Sequence, residues 1–190
     1  MNKEEWLSSA SQQHAILVSI RKPMLFRDIH AAAIALNPHI RLRDIGKLTK
    51  QLMARGYVRC INKQPVTGSI YYLTPKGRHE LLKHAKLNRP GCPRNINWNT
   101  YARISRGRTR RAVFQELRRL QNKTIEPQTI NRLRRELINH HPITLNATIR
   151  AMDELLKLRV VDCIGRTKKA GLRQFIITKT GENIGEVLDM

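Results

Sequence analysis

The chain has 190 residues, which suits one large domain or two small ones, and a hydrophobic fraction of 41% is enough for a buried core. Lysine and arginine number 36 against 14 acidic residues, a net charge of +22 that favours a polyanionic partner. Three cysteines without paired spacing predict neither a disulfide framework nor a zinc site, and no apolar run has the roughly 20 residues of a membrane span. We therefore expect a cytoplasmic protein with no membrane contact and no cofactor.

Two helices are predicted in the first 40 residues. The first covers about residues 9–20 and ends before Pro23. The second covers residues 28–36 with Asp28 as its N-cap, and Asn37-Pro38 breaks it.

A third predicted helix begins at Leu42 and has one apolar and one basic face. Ile45, Leu48 and Leu52 recur at helical spacing, which indicates a buried face, and Gly56 ends the helix. The opposite face consists of basic or small residues, namely Arg43, Gly46, Lys47 and Lys50. A further basic residue, Arg41, precedes the helix.

A β-hairpin is predicted directly after this helix. Residues 57–61 alternate as a strand does, residues 69–73 form a second apolar run, and the loop over residues 62–68 contains Lys63. Thr74-Pro75-Lys76-Gly77 closes the hairpin, and a fourth helix is predicted over residues 79–87.

The succession of basic helix, hairpin and Leu73-Thr74-Pro75-Lys76-Gly77 resembles the winged helix-turn-helix family, in particular its multiple-antibiotic-resistance-regulator-like branch. The resemblance implies that the basic helix lies in the DNA major groove and that the hairpin is the wing. Arginine and lysine there can donate to guanine edges and to phosphates, and Gly46 would let the backbone approach DNA. The alternative for this face is an ordinary solvated surface.

A change of composition separates this pattern from the rest of the chain. Residues 88–95 contain two prolines and a glycine, which predict a turn or linker, and Trp98 and Tyr101 are expected to anchor it. We place a first domain at residues 1–87, a linker at 88–103 and a second domain at 104–190.

The pattern then repeats in the second half. A helix over residues 108–121, a helix beginning at Glu126-Pro127 and a helix capped by Thr144 precede two strands around a turn at residues 165–171.

Equivalent positions of the two copies lie 103–104 residues apart, because Ile45 matches Ile149 at an offset of 104 and Cys60 matches Cys163 at an offset of 103. We therefore predict a mainly α chain with small β-hairpins, of the α+β class, consisting of two tandem winged-helix domains.

The third helix of the second copy is barely basic, because its face combines Ala147, Arg150 and Ala151 with Glu154. The positive charge lies instead on the helix over residues 108–121, whose arginines we expect to point outward, and at the second hairpin turn. Whether the outward arginines hold phosphates or form a solvated face stays open. The candidate DNA contacts of the two copies are Arg41, Arg43, Gly46, Lys47, Lys50 and Lys63, then Arg108, Arg110, Arg111, Arg150, Arg166, Lys168 and Lys169.

These patterns favour sequence-specific binding of double-stranded DNA, most simply by a transcriptional regulator. Alternatives are a plasmid- or phage-type replication initiator, a DNA-architectural protein, or a winged-helix scaffold for protein assembly; RNA ranks lower because few aromatic residues are available to stack on bases. A second copy of the chain is a further candidate partner. Neither a catalytic constellation nor metal-ligand spacing is present in the sequence, so we expect no enzyme activity and no metal.

Overall fold

The computed structural model describes residues 12–62, 68–124, 126–138, 142–165 and 173–190. These residues form nine helices and two three-stranded antiparallel sheets, which confirms the α+β class. The chain divides into two compact units, one ending at Arg94 and one spanning Asn95–Asp189. We call them the N-terminal and the C-terminal unit and describe each by itself.

The N-terminal unit packs its helices around aliphatic side chains. Ile16, Ile29, Ile45 and Leu52 are completely buried at its centre, together with Tyr72 from the sheet. The sheet places β3 between β1 and β2. Its elements are α1 (Gln12–Ser19), β1 (Met24–Leu25), α2 (Phe26–Ile34), α3 (Leu42–Ala54), β2 (Val58–Cys60), β3 (Ile70–Leu73) and α4 (Pro75–Ala85).

The third helix agrees with its prediction, whereas the second begins earlier than expected. Gly56 ends α3 with a left-handed φ of +76°, a conformation that glycine adopts without strain. Helix α2 begins at Phe26 rather than Asp28, and its N-cap is Leu25. The reason is strand β1, which pairs Met24 with Tyr71 and so holds the preceding backbone extended. The sequence analysis did not predict this strand.

The C-terminal unit repeats the same order of elements after one additional helix. Its sheet again places the last strand in the middle, with β6 between β4 and β5. Its elements are α5 (Trp98–Arg106), α6 (Arg108–Thr124), β4 (Gln128–Thr129), α7 (Ile130–Ile138), α8 (Leu145–Lys157), β5 (Val161–Ile164), β6 (Gln174–Ile177) and α9 (Lys179–Asp189).

Helix α5 occupies residues that we assigned to the linker. The Asn97 side chain caps it by accepting a 3.1 Å hydrogen bond from the Thr100 amide. Tyr101 and Ile104 are buried, and the ring of Trp98 meets that of Tyr101 edge-on at 5.7 Å. Residues 98–103 therefore belong to a packed helix of the C-terminal unit, which corrects the expected linker of 88–103.

The segment around Pro90 is held against the N-terminal unit. The Pro90 carbonyl accepts hydrogen bonds from the Tyr72 hydroxyl and from Arg78 Nη1, the latter at 3.1 Å. Burial raises the pKa of Tyr72, so this hydroxyl keeps its proton and remains a donor. Cys92 packs against the core of the same unit. These contacts leave little of the expected linker as free chain.

The second helix of the repeat, unlike α2, begins later than predicted. We expected it to begin at Glu126-Pro127, but Gln128 and Thr129 form strand β4 and pair with β6. The fully buried Gln128 side chain donates to the Glu126 carbonyl at 2.6 Å and to Thr124 Oγ1 at 3.0 Å. These bonds keep the backbone extended until α7 begins at Ile130.

A threonine and a glycine join the hairpin to the following helix in the N-terminal unit. Thr74 Oγ1 accepts from the Gly77 amide at 3.1 Å and donates to the Gly56 carbonyl at 2.6 Å. The Thr74 amide donates to the Tyr57 carbonyl at 3.0 Å, and the Gly77 Cα packs directly on that carbonyl. A Cβ at residue 77 would overlap the Tyr57 oxygen.

The C-terminal unit repeats this junction. Thr178 Oγ1 accepts from the Gly181 amide at 3.1 Å and donates to the Arg159 carbonyl at 2.9 Å. The Thr178 amide donates to the Val160 carbonyl at 3.1 Å, and a Cβ at residue 181 would overlap that carbonyl. We call each arrangement the threonine–glycine junction.

We expect Gly77→Ala and Gly181→Ala each to lower the free energy of unfolding by about 1–3 kcal/mol, because the backbone must move to admit the methyl group. Urea unfolding followed by circular dichroism measures this. Gly46→Ala is the matched control, since a Cβ there makes only an ordinary 3.5 Å contact. Unchanged urea midpoints for both junction variants would contradict the role of the junction.

Candidate nucleic-acid interface

Helix α3 presents a cationic surface to solvent. Ile45 and Leu52 are buried completely on one side of the helix, together with Thr49. The opposite side, which we call the α3 face, consists of the residues expected from the sequence: Arg43, Gly46, Lys47 and Lys50, of which the three cations are exposed.

The cations of the α3 face are weakly paired or have no ion-pair partner. Arg43 Nε lies 3.8 Å from Asp44 Oδ1, and with its side chain 73% exposed this pair contributes little stability. Lys47 and Lys50 take part in none of the ion pairs formed among the described residues. Arg41, also exposed, occupies the N-cap position of α3. The face therefore keeps its positive charge available to a partner.

Gly46 lies at the edge of the α3 face beside α2. A Cβ at this position would lie 3.5 Å from Phe26 Cζ, which is an ordinary contact. Packing therefore does not require glycine here, although glycine in a helix interior costs about 0.5–1 kcal/mol relative to alanine. The Phe26 ring also meets the Tyr71 ring at 6.2 Å between centroids. Phe26 thus connects the edge of the α3 face to the hairpin.

The base of the first hairpin is held by one buried asparagine. Asn62 is 4% exposed; its Nδ2 donates to the Gly68 carbonyl at 2.7 Å, and its Oδ1 accepts from the Ile70 amide at 2.8 Å. Lys63, which follows Asn62, lies outside the described residues. The exposed Arg59 on β2 is a further cation of this hairpin, which we missed although the alternation of residues 57–61 places it opposite the buried Val58.

The corresponding face of α8 is close to neutral. Arg150 is exposed, but Asp153 and Glu154 are exposed on the same helix. The Glu154 carboxylate accepts a hydrogen bond from Arg110 of α6. We expected Arg110 to point into solvent, whereas its side chain is only 18% exposed and is engaged in this ion pair.

Two further arginines of α6 are also engaged within the unit. Arg118 pairs with Asp189 of α9, and Arg119 pairs with Glu116 at 2.5 Å and with Glu136 of α7 at 2.9 Å. Hydrogen bonding to Glu116 raises the pKa of Arg119, so that its charge is permanent. Against our expectation, much of the positive charge of α6 thus braces neighbouring helices rather than facing solvent.

Glycines make room for two of these arginines. A Cβ at Gly107 would crowd the Arg110 guanidinium, and a Cβ at Gly185 would overlap the Arg118 side chain. Among the remaining candidates on α6, Arg108 is exposed and Arg111 is half-buried. The candidates of the second hairpin turn, Arg166, Lys168 and Lys169, lie outside the described residues.

The chain matches no protein-family model and no curated protein.

Within the described residues, no group of three or more His, Cys, Asp or Glu side chains is placed to hold a metal ion. The helices described include none that is long and apolar enough to cross a membrane. Cys163 is exposed on β5, whereas Cys60 on β2 is half-buried.

We expect Asn62→Ala to destabilise the N-terminal unit by about 1–3 kcal/mol, because it leaves the buried Ile70 amide and Gly68 carbonyl without their partner. Chemical unfolding with tyrosine fluorescence as the probe measures the effect. Asn88→Ala, at an exposed position, is the control and should change the midpoint little. Equal effects of the two substitutions would show that Asn62 does not hold the hairpin.

Proposed function

We propose that this protein binds double-stranded DNA in a sequence-specific manner and acts as a transcriptional regulator. The observation that supports the proposal is the α3 face, where Arg43, Lys47 and Lys50 are exposed on one side of a helix whose other side is buried. A helix with cations on its outer side fits the major groove and can donate to guanine edges and phosphates. The net charge of +22 would draw the protein to DNA by long-range attraction.

We propose further that each unit is a winged-helix domain, with α2 and α3 or α7 and α8 as the helix-turn-helix. The support is the order of elements, in which helix, strand, two helices, two strands and helix follow each other in both units. In both, the final strand also pairs with the other two. The hairpins β2–β3 and β5–β6 would then be the wings.

The two third helices would differ in their part in recognition. On α3 the three cations lie together on one exposed face, whereas on α8 Arg150 is accompanied by Asp153 and Glu154. Carboxylates repel phosphate, so α8 is a poor base-reading helix. We propose that α3 reads the bases. The near-neutral α8 face also favours a second candidate function, in which α8 contacts a partner protein as in an assembly scaffold.

We expect the double variant Arg43→Ala with Lys47→Ala to lose about tenfold or more in affinity for its preferred sequence, because each good base contact contributes about 1–3 kcal/mol of discrimination. Affinity for unrelated duplexes should fall less, so that sequence preference is relaxed. Fluorescence anisotropy with a selected and a scrambled duplex measures both quantities.

The control for this variant removes two cations elsewhere. Lys123 and Lys157 are exposed near the C-terminal ends of α6 and α8, so Lys123→Ala with Lys157→Ala changes the net charge equally. This control should keep its sequence preference. If both variants lose affinity equally for all duplexes, α3 does not read bases.

We expect Gly46→Ala to bind DNA more weakly while folding at least as stably as the wild type. Alanine raises helix stability by about 0.5–1 kcal/mol at an interior position, and its methyl group has room beside Phe26. The same methyl would stand between the α3 backbone and a bound duplex. Thermal unfolding and duplex titration on one preparation test this. Undiminished affinity would show that the α3 backbone does not approach DNA at Gly46.

The decisive experiment selects duplexes from a random-sequence library with the full chain at two salt concentrations. A recovered motif supports a sequence-specific protein, and the effect of the motif in a promoter or in an origin-like array then separates regulator from replication initiator. Salt-sensitive retention without a motif would favour an architectural role. No retention at either concentration would contradict DNA binding and leave the scaffold function.

A further inference from the structure

A cavity of about 540 Å³ lies between α6 and α8 of the C-terminal unit. Three of the residues that border it are arginines, and most of the others are small or polar. A smaller cavity of about 250 Å³ is bordered by two of the same residues, Arg108 and Thr109. We call the larger cavity the α6–α8 pocket. The polar side chains that line it are Arg108, Thr109, Arg110, Thr144, Asn146, Arg150 and Glu154.

The charges at the α6–α8 pocket leave two cations available. Glu154 is the one acidic residue at its border, and its carboxylate is already bound by Arg110. Arg108 and Arg150 are exposed, and neither takes part in an ion pair or side-chain hydrogen bond with any residue that the structure describes. An anion in the pocket would therefore meet two guanidinium groups whose donors are unused.

The backbone adds to this positive field. Helix α6 begins at Arg108 and helix α8 at Leu145, so the positive ends of two long helices lie at the pocket. The Thr144 hydroxyl already accepts from the Ala147 amide at 3.2 Å and caps α8. The arginine side chains are thus the main donors, and the helix ends reinforce them.

The described residues of the N-terminal unit place no pair of arginines between its first and third helices. There, between its first and third helices, Gln13 Nε2 donates to Gln51 Oε1 at 2.9 Å. This contact between the first and third helices is uncharged. The C-terminal unit has the reverse arrangement, with a near-neutral third helix and free arginines where α6 and α8 begin.

We propose that the α6–α8 pocket binds a phosphate group through Arg108 and Arg150. Guanidinium groups match phosphate oxygens with two parallel donors each, and two guanidinium groups attract the negative charge of either a phosphodiester or a terminal phosphate. The phosphate belongs either to a DNA backbone, in which case the inference rests on the proposed function, or to a free phosphorylated molecule.

The test compares the full chain with Arg108→Ala/Arg150→Ala, the pocket variant, and with Lys123→Ala/Lys157→Ala as control. The control removes the same charge from the other ends of the same two helices. Inorganic pyrophosphate, titrated by calorimetry, is the first probe, and a short fluorescent duplex at several salt concentrations is the second. Circular dichroism establishes that both variants are folded, and Arg108→Lys/Arg150→Lys adds a variant of unchanged charge.

We expect the pocket variant to bind pyrophosphate about tenfold or more weakly, with the control within about twofold of wild type. The lysine variant should fall between them, because an ammonium group lacks the paired donors of arginine. Duplex affinity falls as salt rises, with a characteristic slope of log affinity against log salt concentration. If the steepness of this salt slope also falls by about one in the pocket variant, the phosphate is a DNA phosphate. An unchanged slope identifies a free phosphorylated ligand.

Equal pyrophosphate affinity in the pocket and control variants would overturn the proposal, as would wild-type affinity in the pocket variant. The Arg43→Ala/Lys47→Ala variant separates this result from the proposed function. If it binds duplexes as the wild type does while the pocket variant loses pyrophosphate, base reading by α3 fails and the pocket stands. If the α3 variant loses duplex binding while the pocket variant keeps wild-type affinity for pyrophosphate, phosphate binding by the pocket is contradicted and base reading by α3 is supported.

Discussion

The threonine–glycine junction is the constraint on which each unit depends. In the N-terminal unit one carbonyl, that of Tyr57, accepts the Thr74 amide and at the same time supports the Cα of Gly77, while Thr74 Oγ1 reaches back to the Gly56 carbonyl. The residues just after the third helix, the end of the hairpin and the beginning of the last helix thus meet within one cluster of hydrogen bonds. Buried backbone N–H and C=O groups need hydrogen-bond partners. At this junction the Thr74 hydroxyl bonds the Gly56 carbonyl and the Gly77 amide, and the absence of a side chain at Gly77 leaves room for the Tyr57 carbonyl.

This junction also determines how α3 can be presented to a partner. The helix is held just after its C-terminal end by the junction, near its N-terminal end by the buried Ile45 and at its edge by Phe26, which contacts the hairpin through Tyr71. The buried apolar side of α3 packs in the core, and the cations lie on the side that remains in solvent, although Leu42 and Met53 of the same helix are exposed as well. A rigid helix with a fixed exposed side is what base recognition requires, because the discriminating hydrogen bonds depend on placement within a fraction of an ångström.

The parts of this fold that local pattern determines were predictable, and those that distant partners determine were not. Helix α3 and its buried residues follow from apolar spacing, and the threonine and glycine of each junction follow from their repeated sequence. Strands β1 and β4 have only two residues each, and they exist because β3 and β6, more than 40 residues later, pair with them. The α3 face follows from helical spacing for the same local reason. The ion pairs of the α6 arginines do not follow from local spacing, because the partner of Arg110 is Glu154, which lies 44 residues further along the chain.

Net charge is therefore a weak guide to where a basic protein contacts its partner. The two halves of this chain have nearly equal excess charge, with 17 basic and 5 acidic residues up to residue 95, net +12, and 19 and 9 beyond, net +10. In the N-terminal unit the cations of α3 remain in solvent, whereas in the C-terminal unit Arg110, Arg118 and Arg119 hold helices together. Such pairs lower the field that a distant polyanion feels, because each cation is matched by a nearby carboxylate. What remains for recognition is the exposed cations with weak carboxylate pairing or none. Those that our proposals use lie on the α3 face in the N-terminal unit, and at the beginning of α6 and on α8 in the C-terminal unit.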